Sequence, residues 1–255
     1  MRVKVTASYI VKNEEEYLPF SIKSICDVVD EIVVVDNGST DRTVEIAKSF
    51  PKARIYYSGA QDFSVLRNLT IKYATGDWIL VMCADEVFYS DINAVLPELV
   101  KDYTVDAYTC WYYHLMRSYY YMQNSSDRDP LYSRIFLFRK TPATFYVRPV
   151  HQYLTGVGPN VKDSGLHYVH YGYVKDPGLI LERWKLYAQL EGTPGIFDHL
   201  DPDHLLDDRP LYPFTREHPE VIREYVEAKA EAMAKKGSKL FKKPAVLKDF
   251  EEEMP

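Results

Sequence analysis

Three stretches of the chain end in side chains that could hold a ligand: Asn13 with Glu14 and Glu15, Asp36, and Asp85 with Glu86. Each follows an apolar or β-branched run, namely Val3–Val11, Glu31–Val35 and Trp78–Met82. Carboxylates and amides accept hydrogen bonds from ligand N–H groups, and open α/β sheets bind ligands just outside the carboxyl ends of their strands. An isolated acidic pair usually ends up in solvent. Three such ends brought to one sheet edge would make a binding site instead.

The elements needed to position these groups are legible as patterns. Val3–Val11 is β-rich, and Asn13 with Glu16 three residues later has the form of a capping box. A helix is therefore expected there, with Leu18, Ile22 and Ile25 on one face. Glu31–Asp36 has the continuous branched pattern of a parallel strand. Gly38 permits a tight turn, and Ser39 or Thr40 is placed to cap a helix reaching Phe50. Arg54–Tyr57 reads as a third strand, and Phe63, Leu66, Leu69 and Tyr73 mark a third helix. The Thr75-Gly76 turn then releases the chain into Trp78–Met82. Alternation with short links predicts right-handed crossovers and a mainly parallel, doubly wound sheet. Further helices are expected over 91–101 and 179–191, and strands over 106–113, 132–139 and 144–154. His218-Pro219 opens a last amphipathic helix running to Lys236. The polar, turn-rich stretch 123–130 is a candidate loop over the site.

Bulk properties narrow the choice. The chain has 255 residues, 46% hydrophobic and 27% charged, as in an ordinary globular protein. Its net charge of -6 argues against nucleic acid as a partner, since phosphate binders carry a basic surplus. Cys26, Cys83 and Cys110 are odd in number and widely spaced, which fits a reducing compartment without a disulfide framework. No run approaches the ~20 apolar residues of a membrane span, so a cytoplasmic location is expected. The 22 tyrosines are densest between residues 103 and 173 and offer flat faces for packing or for stacking on a sugar or base. The first strand lacks a following Gly-x-Gly-x-x-Gly, and no Gly-x-x-x-x-Gly-Lys is present, which removes the usual dinucleotide and triphosphate motifs.

Taken in order, Ile10–Leu18, Glu31–Thr43, Arg67-Asn68, Ala74–Trp78 and Ala84-Asp85-Glu86 resemble the family 2 nucleotide-sugar glycosyltransferases of GT-A fold. Arg134–Arg139, Val150-His151-Gln152 and His170–Tyr173 are similar to the branch typified by bacterial lipopolysaccharide-core transferases. The resemblance implies an α/β GT-A domain with a mainly parallel sheet in an α/β sandwich. Residues 1–105 would form its nucleotide-sugar half and 106–192 its acceptor half. A C-terminal extension over 193–255 would carry the amphipathic helix and a basic tail. It further implies that Ile10, Asn13 and Glu14 border the nucleobase and that Asp36 accepts from a uracil or guanine N–H. Arg67, Cys83 and Ala84 would lie near the nucleotide. Asp85 would bind Mn²⁺ or Mg²⁺, with His170 as a further ligand, and the ion would neutralise the leaving diphosphate. The donor would be a UDP- or GDP-linked sugar, and the acceptor a hydroxyl on a glycan, glycolipid or protein.

Two departures from the family pattern stand out. Cys83 replaces the first acid of the Asp-x-Asp motif, and a thiol is a poor ligand for Mg²⁺. Gln152 stands where the family carries a glutamate, and a neutral amide cannot take the acceptor's proton. His151, Asp129, Glu86, Asp127 and Asp163 are then the candidate bases. The expected function is inverting, metal-assisted sugar transfer. The competing readings are a nucleotide-sugar-binding protein that has lost catalysis, and a nucleotidyltransferase. Lys235, Lys236, Lys239, Lys242, Lys243 and Lys248 make the tail a candidate for peripheral contact with anionic lipid, which Glu251–Glu253 would weaken.

Overall fold

The computed structural model describes residues 2–123, 131–207 and 210–235. The chain alternates strand and helix as expected: β1 Val5–Val11, α1 Leu18–Ile25, β2 Glu31–Asp36, α2 Thr43–Lys48, β3 Ala53–Tyr57, α3 Phe63–Tyr73 and β4 Trp78–Met82. These are followed by β5 Glu86–Phe88, α4 Ile92–Leu99, β6 Ala107–Met116, β7 Tyr121–Gln123 and β8 Tyr132–Arg139. The remainder comprises β9 Phe145–Val147, β10 Tyr153–Thr155, β11 Val161–Tyr173, α5 Pro177–Leu190, β12 Tyr212–Pro213 and α6 Glu220–Lys235.

Among the described residues the main sheet runs β12-β7-β6-β8-β4-β1-β2-β3, with β11 beside β6 and β5 against β11. The block β4-β1-β2-β3 is parallel throughout, and β8 enters antiparallel between β4 and β6. Burial on both faces explains the unbroken apolar runs of the central strands: Ile32–Val35 and Trp78–Leu80 are fully buried. Each such side chain contributes roughly 1.5–3 kcal/mol by leaving water. The mixed α/β architecture with a mainly parallel central sheet matches the expected fold class.

Register delivers the site. Val11 pairs with Asp36, and Tyr9 pairs with Met82. The ends of β1, β2 and β4 therefore share one edge, with β1 in the middle.

Several local expectations need correction. α1 does not start from an Asn13 capping box; Tyr17 is its N-cap, without a capping side chain. Asn13 has φ 54°. Its amide oxygen accepts from the Thr40 N–H at 2.8 Å, and its own N–H donates to Ser39 Oγ at 3.0 Å. Asn13 thus joins two loops rather than opening a helix. Neither Ser39 nor Thr40 caps α2, because Asp41 accepts from the Thr43 N–H instead, at 2.9 Å. The strand expected over 144–154 is a hairpin of β9 and β10, with His151 in its connection. Two strands carry no clear pattern: β5 is only three residues long, and β11 starts exposed and contains two glycines.

The C-terminal helix α6 buries Ile222, Val226 and Ala230 against a second core that includes Tyr17, Val87, Tyr119 and Tyr171. Many tyrosines are spent on this packing. Their buried hydroxyls pair internally, as in Tyr17–Tyr119 at 3.0 Å and Tyr9–Ser21 at 3.1 Å. Among the described residues no helix is long and apolar enough to cross a membrane. The basic tail beyond Lys235 lies outside the described residues.

Candidate functional site

Asp85 and Glu86 are neighbours with separate partners. β4 ends at Met82, and the turn Cys83–Asp85 leads directly into β5. Glu86 Oε2 accepts from Arg134 at 2.5 Å and from the Cys83 N–H at 2.8 Å, and Arg134 also donates to the Val81 carbonyl at 3.2 Å. This pair clamps the end of β4 to β8. Its full engagement with Arg134 and the backbone leaves Glu86 poorly placed to act as the base suggested by sequence.

Asp85 meets a different group of side chains. The Tyr171 N–H donates to its carbonyl at 2.8 Å, which brings β11 alongside. His170 Nε2 then lies 3.4 Å from Asp85 Oδ1. Lys175 Nζ lies 2.8 Å from Asp85 Oδ2 and donates to Glu14 Oε1 and Oε2 at 2.8 and 2.6 Å. The side chains of Asp85, Lys175, His170 and Glu14 are only 6, 13, 16 and 19% exposed. Gly172 permits this approach: a Cβ there would stand 2.6 Å from His170 Nε2 and 3.0 Å from Asp85 Oδ2. His114 faces His170 across the β6–β11 pair, with their Nδ1 atoms 2.9 Å apart.

Burial opposes ionisation throughout the cluster, and the neighbouring charges decide the outcome. At Asp85 it is overcome by Lys175, His170 and Arg183, which together hold the carboxyl well below the usual range. At Glu14 burial and the Asp85 charge outweigh Lys175, and the carboxyl is pushed up to about 7. Burial and His170 push His114 down to about 2, so it stays neutral. Burial and Glu86 raise the Cys83 thiol to about 11.

The other residues singled out by sequence are distributed as follows. Asp36 is 3% exposed and accepts from the N–H groups of Gly38 and Ser39 at 3.1–3.3 Å, a loop that Gly38 closes at φ 81°. Ile10 sits half-buried opposite Val35, and Ala84 is buried. Arg67, 5% exposed, is not a surface charge; it donates to the Ser8 and Met82 carbonyls and to Cys83 Sγ at 3.1–3.3 Å. It thereby ties the ends of β1 and β4 together. Asp163 is held by Trp111 Nε1 at 2.8 Å and the Gly165 N–H at 3.0 Å. His167, a further histidine of β11, stacks near Tyr113. Three residues from His170 on one strand, it faces the opposite side of the sheet.

His151 lies in the β9–β10 connection with φ 48°; its side chain is 73% exposed, and Nε2 is 3.7 Å from Glu191 Oε1. Its ring stands 6.1 Å from that of Tyr187, a half-buried residue whose hydroxyl feels Arg183 and Asp85. Gln152 is half-buried beside it. Asp127 and Asp129 lie outside the described residues.

Sequence reasoning missed Lys175, Arg183 and His114, and it gave Arg134 no role beyond the resemblance of its segment. Lys175 is ninety positions from Asp85, and only the β11 pairing, itself without a clear pattern, brings the two together.

A divalent ion at Asp85 does not suit this donor set. Both carboxylates already turn their oxygens to Lys175 or His170, and an ion placed there would sit against a buried ammonium. Among the described residues no group of three or more His, Cys, Asp or Glu is arranged to hold a metal.

A family model described as Glycosyl transferase family 2 matches residues 9–155, more than half of the chain. A TPR repeat-containing protein of Synechococcus elongatus is 36% identical over 150 residues, covering 58% of this chain and 35% of that protein. An uncharacterized glycosyltransferase of Rickettsia typhi is 31% identical over 147 residues, covering 56% of this chain and 48% of that protein. The chain thus spans half or less of the length of these curated relatives. The crystal structure of S. aureus TarS 1-349 in complex with UDP superimposes with a TM-score of 0.47 at 13% identity, covering 80% of this chain and 68% of that one. That likeness is too distant to bear on the site.

Proposed function

The chain belongs to the glycosyl transferase family 2, and from that premise we propose that it moves a sugar from a nucleoside diphosphate to a hydroxyl acceptor with inversion. The observation that carries this reading is the convergence of Glu14, Asp36 and Asp85 on one edge, at the ends of adjacent parallel strands. Asp36 would accept the ring N–H of a uracil or guanine base, a charge-assisted hydrogen bond at a buried strand end. Ile10 would border that base, and the diphosphate would lie toward Asp85 and Lys175.

In the transfer, the acceptor oxygen forms a bond to the anomeric carbon as the bond to the diphosphate breaks. The bonding pair leaves with the diphosphate, and the acceptor proton passes to a base. Among the candidates within the described residues, His151 is the one assigned that role. Gln152 cannot take a proton, and Glu86 is committed to Arg134. His151 Nε2 stands 3.7 Å from Glu191 Oε1, a neutral imidazole has one ring nitrogen able to take the proton, and Gln152 can orient the acceptor. His151→Ala should lower the transfer rate by about 10²–10⁴-fold while leaving the melting temperature unchanged, because the side chain is exposed.

The test is a panel of UDP-, GDP- and dTDP-sugars, recording thermal shift and nucleotide release with candidate acceptors. Stabilisation with release supports transfer. Stabilisation without turnover on any acceptor favours a binding protein that has lost catalysis, a reading motivated by Gln152 and Cys83. No stabilisation by any nucleotide contradicts both.

A further inference from the structure

We propose that Lys175 is the counter-cation of the donor diphosphate, a charge built into the chain that makes nucleotide binding and transfer independent of added metal. The inference rests on the proposed transferase reading. It begins from placement: Lys175 Nζ lies between Asp85 and Glu14, the carboxylates ending the β4 and β1 segments, at 2.6–2.8 Å from both. Its side chain is 13% exposed, and the ammonium stands 5.8 Å from the Tyr17 ring centroid.

The segment holding it is also fixed. Lys175 comes two residues after β11 and precedes the N-cap of α5, where Asp176 accepts from the Gly178 and Leu179 N–H groups at 2.8 and 3.3 Å. From the same helix Arg183 reaches back to the Gly172 carbonyl at 3.4 Å and stands 5.4 Å from the Tyr173 ring. A second positive charge thereby acts on Asp85, helping to hold its carboxyl ionised. An ammonium carries three N–H donors and a guanidinium five. Lys175 turns all three toward Asp85 and Glu14, so a phosphate oxygen would take the place of a Glu14 contact, and Arg183 adds donors beside its bond to the Gly172 carbonyl. In the transfer Lys175 keeps its proton and acts by charge alone, offsetting the negative charge that collects on the departing diphosphate.

Cys83, where the family has an acid, takes a hydrogen bond from Arg67 at 3.3 Å, within the bracing of the strand ends.

The experiment compares binding of UDP and GDP by calorimetry to protein freed of metal with EDTA, with and without restored Mn²⁺. Mn²⁺ binding without nucleotide is read by electron paramagnetic resonance. Wild type should bind one of the nucleotides with affinities in EDTA and Mn²⁺ that agree within about twofold. Lys175→Ala should weaken binding in EDTA by about tenfold to hundredfold, the loss of a charged hydrogen bond. The same variant should gain Mn²⁺ binding, because Asp85, Glu14 and His170 are released. Lys175→Arg, which keeps the charge, should retain metal-free binding and guards against misfolding of the alanine variant. Wild-type nucleotide binding that vanishes in EDTA and returns with Mn²⁺ overturns the inference while leaving the transferase reading intact. Absence of nucleotide binding in both conditions overturns that reading and the inference with it.

Discussion

Asp85 and Glu86 are adjacent, both nearly buried and both paired with a cation, yet their surroundings give them different work. Glu86 spends its carboxylate on Arg134 and a backbone N–H, and Arg134 spends itself on Glu86 and a backbone carbonyl. That arrangement holds β4 and β8 together. Asp85 shares Lys175 with Glu14 and contacts His170, so several charges from different elements meet at one open strand edge. An acid that satisfies the backbone locks a fold. An acid balanced among side chains can change partners when a ligand arrives.

Substitution should separate the two acids. Arg134→Ala leaves Glu86 buried without its partner and should cost about 3–5 kcal/mol of stability in urea unfolding. A loss below about 1 kcal/mol would show that the pair is not the lock described. Asp85→Asn should do the reverse. Its main effect should be on nucleotide affinity, lowered by about 1.5–3 kcal/mol through loss of the group orienting Lys175. Its unfolding midpoint should move less than that of Arg134→Ala.

A smaller effect separates the two sides of the cluster by pH. Glu14 has its carboxyl raised to about 7 in the fold against about 4.3 unfolded. The folded state therefore binds this proton more tightly, and stability falls as pH rises between those values. Glu14→Gln should gain stability relative to wild type near pH 8, and the gain should vanish near pH 4. Asp85 has the opposite sign: its carboxyl is held low, so its contribution is present above about pH 4 and is lost as pH falls below that. A Glu14→Gln difference that does not change with pH would contradict the charge balance described for the cluster.

The parallel half of the fold was legible because two-sided burial leaves continuous apolar runs, as in Ile32–Val35 and Trp78–Met82. The ligand-bearing ends Asp36 and Asp85 follow from those runs, since a carboxylate closing a buried strand has few other places to go. Asn13 was legible as a polar residue after β1 but not in its role, because its partners Ser39 and Thr40 belong to another loop. The second half was less readable. β11 mixes exposed, glycine and aromatic positions and is held by pairing with β6 and β5 rather than by its own pattern. Lys175 and His114 reach the site through that strand, so neither carried a local signal.

The most direct measurement is a crystal structure of the protein with UDP or GDP bound. The base should lie against Asp36 and a diphosphate oxygen about 2.7–2.9 Å from Lys175 Nζ. A nucleotide bound away from the β1–β2–β4 edge, or a diphosphate carried on an ion at Asp85 with Lys175 displaced, would contradict that placement.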